Sequence, residues 1–199
     1  MLAGKQLSRS FYARPVLIVA RELIGQVLVR QSAEGVTAGR IVESEAYRGP
    51  EDLAAHSSRG RTRRTEAMYG PPGHAYVFLL YGSSWAFNVV TTRVGHPHAV
   101  LVRALEPVCG LELMARRRKM TPGARELTNG PGKLCQALGI THADYGRDLC
   151  GDVLYLLEGS CGAVGRSPRI NVAYAGAWAR RPWRFFERGN RYVSVPPRA

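Results

Sequence analysis

Apolar positions Val16, Leu17, Ala20, Leu23 and Ile24 recur at the spacing of one helical face, with Ser10 upstream as a cap. QVLVRQ at 26–31 then predicts a strand, AEG at 33–35 a turn, and VTAGRIVESEAY at 36–47 a longer strand. Residues 49–73 have no period, are rich in turn residues and arginine, end in GPPGH, and predict a loop. AYVFLLYG (75–82) and WAFNVVTT (85–92) are two apolar runs split by a short GSS turn, which predicts a hairpin. HAVLVRALEP (98–107) adds a strand, and the segments 111–119 and 133–140 predict helices. VLYLLEG (153–159), RINVAYAG (169–176) and RYVSV (191–195) predict further short strands. Strands dominate the middle, and helices fall between them without a repeating βαβ order. That pattern predicts an α+β fold with a largely antiparallel sheet. No repeat or long Gly/Ser/Pro linker divides the 199 residues, so one domain is expected.

Strand alternation puts Ile41, Glu43, Glu45 and Tyr47 on one face and Val42, Ser44 and Ala46 on the other. Two carboxylates this close raise at least one pKa unless cations compensate. The plain alternative is a pair of surface glutamates on an edge strand, or glutamates neutralised by arginines. Downstream, however, stand Tyr47, Ala54, Ala55, His56 and then an arginine cluster. A carboxylate beside aromatics, leading into a phosphate-binding loop, suits hydrolysis on a nucleic acid. By alternation alone, Glu43 and Glu45 are equal candidates. In the hairpin, Tyr76, Phe78 and Leu80 share a face, and Val77, Leu79 and Tyr81 the other. Most of these belong to a core. Tyr81 adjoins the turn, where an aromatic in a basic protein can wedge into a base stack. Asn88, in an apolar strand, needs a hydrogen-bond partner or serves a ligand.

Charge changes the picture most. Lys plus Arg is 28 and Asp plus Glu 15, a net charge of +13 with a pI near 10.3. Such a surplus points to a polyanionic partner. The cations cluster as RGRTRR (59–64), RRRK (116–119) and a C-terminal third in which Glu187 is the only acid after Glu158. Arg59, Arg61, Arg63 and Arg64 suit phosphate contacts, since the guanidinium fork matches phosphate better than an ammonium does. Cysteines 109, 135, 150 and 161 include no CxxC pair, which argues against a zinc ribbon or an iron–sulfur cluster. His96 and His98 lack a third metal ligand nearby. GPGK at 130–133 falls short of a phosphate-loop pattern and predicts a helix start whose amides, with Lys133, touch a phosphate. Neither a signal-peptide h-region nor an apolar run of about 20 residues is visible, so a soluble cytoplasmic protein is expected.

The blocks IVESEAYRGPEDLAAHSSRG, GHAYVFLLYG, AFNVV, VLVRALEP, GPGKLCQALGI and ARRPWRFFERG together closely resemble the alkyladenine/3-methyladenine DNA glycosylase family, also called methylpurine glycosylase. The resemblance runs from about Leu7 to Pro196. It implies one domain over residues 1–199, with a curved, mostly antiparallel sheet flanked by helices. That fold is similar to the C-terminal domain of methionyl-tRNA formyltransferase. It also implies a monomer without metal or organic cofactor that hydrolyses the N-glycosidic bond of damaged purines flipped out of double-stranded DNA. By motif, Glu45 matches the glutamate that deprotonates the attacking water, breaking the tie with Glu43, which becomes an arginine-paired neighbour. Arg103 matches an arginine holding that water, and Ile170 a backbone carbonyl bound to it. Tyr47 and His56 match residues that sandwich the flipped base, with Phe78 at a stacking position where tyrosine is frequent. Tyr81 matches the intercalating tyrosine, and Asn88 an asparagine that clashes with the exocyclic amine of guanine. Ser83 and Ser84 replace bulkier residues, and Thr65 stands where many relatives have asparagine. Lys5, Lys119 and Lys133 are the only lysines and none adjoins the Glu45 motif, so no Schiff-base lyase step is expected. The competing expectation is a catalytically inactive binding module for damaged DNA or RNA on the same scaffold.

Overall fold

The computed structural model describes residues 2–80 and 82–195. Two short helices open it, α1 (Arg9–Tyr12) and α2 (Val16–Glu22). Ser8 stands at the first N-cap and Pro15 at the second. Ser10, expected as a cap, instead lies inside α1, its hydroxyl 2.7 Å from that of Ser8. Pro15 supplies the restricted φ from which α2 starts, so no side-chain cap is required there. Helices α3 (Leu111–Arg118) and α4 (Pro131–Leu138) follow the expected positions, and α4 begins in the GPGK segment with Pro131 in its first turn.

Among the described residues eight strands form the sheet: β1 (Val27–Ser32), β2 (Gly35–Arg48), β3 (Ala75–Leu80), β4 (Ser84–Thr91), β5 (His98–Cys109), β6 (Leu154–Leu157), β7 (Val164–Ser167) and β8 (Arg184–Glu187). Their order is β3-β4-β5-β2-β1-β6, with β8 paired to β2 and β7 to β8, and every pairing is antiparallel. The α+β, mostly antiparallel expectation therefore holds, as does the β3–β4 hairpin. The first half of β2 pairs with β1, while Glu43, Ser44 and Glu45 pair with Phe186, Phe185 and Arg184 of β8. With β5 on the other side, the carboxylate pair lies on an interior strand, not an edge.

Two expected strands are absent. Residues 169–176 form a turn that leads into a 3-10 stretch, Ala173–Arg180, and Asn171 has φ 58° in the left-handed region. Residues 191–195 form turns, with Tyr192 buried against Val42 and Ala104. Their apolar alternation records burial of single side chains rather than ladder pairing. In exchange, β7 and β8 arise from VGRS and RFFE, segments too short and too basic to show a period.

One face of the sheet carries Val77, Phe87, Val89, Val100 and Val102 and buries them against α2, α3 and α4 through Val19, Ala20, Met114, Leu134 and Leu138. Burial of this apolar area is the main stabilising term, each large side chain contributing about 1.5–3 kcal/mol. The opposite face carries Tyr76, Asn88, Leu101 and Arg103, and there the sheet is open to a cavity.

Candidate active site

The strict alternation expected along β2 breaks at its centre. Ile41 pairs with Leu105 and Glu43 with Ala104, but Ser44 pairs with Val102, leaving Val42 and Arg103 outside the ladder. This bulge shifts the phase, so Ile41 joins Ala46 in the helix-side core and does not share the Glu43–Glu45 face. Ser44 also faces the helices, donating its hydroxyl to the Ala20 carbonyl at 2.7 Å. Bulges re-aim side chains, and this one turns Arg103 onto both carboxylates. Its Nε donates to Glu43 Oε1 at 3.0 Å and its Nη1 lies 3.3 Å from Glu45 Oε2.

Both glutamates are completely buried, and a buried carboxylate is tolerated only when hydrogen-bonded or paired. Glu43 receives Arg103 Nε, Arg184 Nε at 2.7 Å, the Ser194 hydroxyl at 3.0 Å and the Ser194 amide at 2.6 Å. Three of those donors reach Oε1 and one, the Ser194 amide, reaches Oε2. Glu45 receives the Tyr47 hydroxyl at 2.8 Å, the Ile170 amide at 2.7 Å and Arg103. Among the described residues Glu45 thus has three donors to the four of Glu43, one on Oε1 and two on Oε2. Burial, then the Glu45 charge, hold the Tyr47 phenol well above its usual pKa, so it stays a donor. Burial pulls the Arg103 pKa down, but Glu45 and Glu43 outweigh it and keep the guanidinium charged.

A cavity of about 430 Å³ opens over this group, a size suited to a small organic ligand. Tyr47, His56, Arg64, Phe78, Asn88, Arg103 and Ile170 all line it, so seven of the expected site residues converge there. Glu45 is not exposed to it; Tyr47, Arg103 and Ile170 stand between. His56 lies in a 3-10 turn (His56–Arg59) and its Nδ1 is 2.8 Å from the Tyr76 hydroxyl. Its ring meets Phe78 edge-on at 4.5 Å, and Tyr76 and Phe78 lie 5.4 Å apart. Burial, with Arg64 and Arg59 nearby, lowers the His56 pKa to about 4, so the imidazole is neutral at pH 7. Burial likewise raises Tyr76 to about 12. Asn88 donates its amide to the Tyr76 carbonyl at 3.0 Å across the β3–β4 pair.

The basic loop lies at the mouth. Arg59, Arg61, Arg63 and Arg64 are exposed, and Arg64 both lines the cavity and stands 5.2 Å over the Phe78 ring. Arg61 is tied to Glu66 at 2.5 Å and lies over Tyr69. Lys133 donates to Asn129 Oδ1 at 2.8 Å in the first turn of α4, whose Pro131 also lines the cavity. At Gly132 a Cβ would lie 2.7 Å from Ser84, so the absence of a side chain lets α4 sit against the hairpin. Tyr81 falls outside the described residues.

Sequence reasoning missed Asp52, Arg169, Arg184 and Ser194, which build the wall behind the site. Arg169 and Asp52 form a fully buried ion pair at 2.5 Å. Arg184 and Ser194 complete the Glu43 shell. The signal available was a lone charge inside an apolar run, as in RINV and WRFF, which burial obliges to pair. Among the described residues, no group of three or more His, Cys, Asp or Glu is placed to hold a metal ion, and no helix is long and apolar enough to cross a membrane.

The cavity is thus walled by aromatic rings with Arg64 at its edge, and the buried Glu45 lies behind the Tyr47, Arg103 and Ile170 that line it. The family model described as methylpurine-DNA glycosylase (MPG) matches residues 10–191. A Myxococcus xanthus protein provisionally named 3-methyladenine DNA glycosylase is 52% identical over 194 residues, covering 96% of this chain and 94% of its own. Similarly named proteins of Methanocella arvoryzae and Clostridium acetobutylicum are 48% and 44% identical, covering 94% and 96% of this chain and 95% and 98% of their own. The chain belongs to the methylpurine-DNA glycosylase family.

Proposed function

We propose that the chain is a monofunctional DNA glycosylase that hydrolyses the N-glycosidic bond of alkylated or deaminated purines flipped out of duplex DNA. The observation that carries this reading is the placement of the two buried carboxylates: all three donors to Glu45, from Tyr47, Arg103 and Ile170, belong to residues that line the cavity, whereas Glu43 is also held by Arg184 and Ser194, which do not. A water taken into the cavity gives a proton to Glu45 as its oxygen attacks the sugar. The C1′–N bond breaks, the base leaves with the electron pair, and the C1′–O bond forms. The carboxylate also stabilises the positive charge that builds on the sugar. Arg103 and the Ile170 backbone carbonyl hold the water, while the Ile170 amide fixes Glu45. Tyr47, His56 and Phe78 stack the flipped base, Asn88 screens its edge, and Tyr81 fills the gap in the duplex. Arg59, Arg61, Arg63, Arg64 and Lys133 contact the phosphates. The enzyme acts as a monomer and without a metal or organic cofactor. Flipping costs a few kcal/mol, least where pairing is already damaged.

The test is incubation with duplex oligonucleotides carrying hypoxanthine, ethenoadenine or 7-methylguanine, followed by alkaline cleavage of abasic sites, with and without EDTA. Release of at least one lesion, undiminished by EDTA and without strand cleavage before alkali, is expected. Lesion binding without release of any of them would make the chain a binding module instead.

A further inference from the structure

Resting on the glycosylase reading, we infer that Arg169, held by Asp52, is the positioning residue of this site and biases the pocket against positively charged purines. Its side chain is fully buried, and each of its contacts falls on the reacting strand or the turns around it. Nη1 donates to the carbonyl of Ala46, the residue between Glu45 and Tyr47, at 2.8 Å, and Nη2 to the Trp178 carbonyl at 3.2 Å. The fork grips Asp52 at 2.5 and 2.9 Å, and Asp52 in turn accepts from the amides of Arg48 and Ala54. The next residue along is Ile170, whose amide holds Glu45. One buried pair thus links β2, the loop after it and the turn at 170.

A buried ion pair adds little net stability compared with apolar packing, so its value here lies in geometry. Removing it would free Ile170 and Tyr47 together, and both are donors to Glu45.

The guanidinium is also a charge. Its Cζ lies 4.7 Å over the Tyr47 ring and 5.2 Å over Trp183. Arg169 does not line the cavity and Tyr47 does, so a flipped base meets what the cation leaves of the ring. A cation on one face draws on the negative potential that would attract a second cation on the other. Arg64 stands over Phe78, the other stacking ring. The pocket is therefore better matched to neutral lesions such as hypoxanthine than to cationic 7-methylguanine.

The test compares single-turnover release of hypoxanthine and 7-methylguanine by wild type, Arg169→Lys, Arg169→Met and Asp52→Asn, with melting curves and binding to undamaged duplex. Arg169→Met should slow both releases but raise the 7-methylguanine to hypoxanthine ratio about three- to tenfold, the scale of one cation–π contact. Arg169→Lys should keep the wild-type ratio at a lower rate, because the charge stays and the fork is lost. Asp52→Asn should lower both rates about 10- to 100-fold with undamaged-duplex affinity intact, and, by removing the countercharge of Arg169, it should lower the 7-methylguanine to hypoxanthine ratio. An unchanged ratio in Arg169→Met overturns the charge bias. Wild-type rates in Asp52→Asn overturn the positioning role, even if Arg169→Met does not fold. If wild type itself releases neither base, the glycosylase reading fails and this inference falls with it, whereas normal release with the ratios above unmet overturns this inference alone.

Discussion

Glu43 and Glu45 stand two residues apart on β2, both without solvent exposure and both touched by Arg103. Glu43 lies at the closed end, where two arginines and both polar groups of Ser194 surround it. Glu45 lies at the cavity end, where its three donors, a phenol, a backbone amide and one guanidinium, all come from residues that line the cavity. That placement is the ground on which the first is proposed as a structural anchor and the second as the base. Burial alone does not distinguish them, and neither does charge. The bulge at Val42 and Arg103 places one arginine between the two sites.

The difference can be broken from either side. Glu45→Gln removes the proton acceptor while preserving size, and base release should fall about 10²- to 10⁴-fold with lesion binding retained. Comparable loss of binding and release, measured by gel shift and alkaline cleavage, would make Glu45 structural like its neighbour. Glu43→Gln should act on stability. It leaves Arg103 and Arg184 in a buried site without their full countercharge, a change that costs about 3–5 kcal/mol when one partner of a buried pair is lost. For a chain of this size that is a fall of roughly 10 °C or more in Tm by calorimetry. A Glu43→Gln protein that melts like wild type would refute the anchor role. Tyr47→Phe removes one donor to Glu45, and base release should drop about tenfold, the scale of one hydrogen bond to a charged group.

A smaller effect concerns His56, outside the carboxylate pair but in the same cavity. Its pKa of about 4 in the folded chain lies below the ordinary histidine value of 6.5. Between pH 6.5 and 4 the unfolded chain binds the proton and the folded one does not. This group's contribution is complete above pH 6.5 and shrinks as pH falls toward 4, by on the order of 3 kcal/mol at most. His56→Asn should flatten the pH dependence of stability in that window, as read by denaturant titration. A slope identical to wild type would mean that His56 titrates alike in the folded and unfolded chain.

Much of this was readable in the sequence because it rests on local pattern. The α4 start at Pro131, the β3–β4 hairpin and the alternation of Tyr76, Phe78 and Asn88 follow from nearest neighbours. Tyr47, His56, Phe78, Asn88, Arg103 and Ile170 were brought together by the family resemblance and not by local pattern, and all six line one cavity. What escaped depends on distant partners. The bulge that moved Ile41 to the core exists only because β5 and β2 pair out of step. The segment RINVAYAG alternates like a strand, yet Asn171 turns left-handed and Arg169 reaches Asp52, 117 residues away. β8 owes its pairing to the part of β2 that β1 leaves uncovered. No window of sequence contains those relations.

The most direct measurement is the single-turnover rate of hypoxanthine release from a saturating duplex by wild type, Glu43→Gln and Glu45→Gln, taken below the melting range of all three. The account predicts that Glu43→Gln releases base within about tenfold of wild type once folded, while Glu45→Gln remains bound to the lesion and is slower by two orders of magnitude or more. Equal rates for the two variants, or a faster Glu45→Gln, would contradict it.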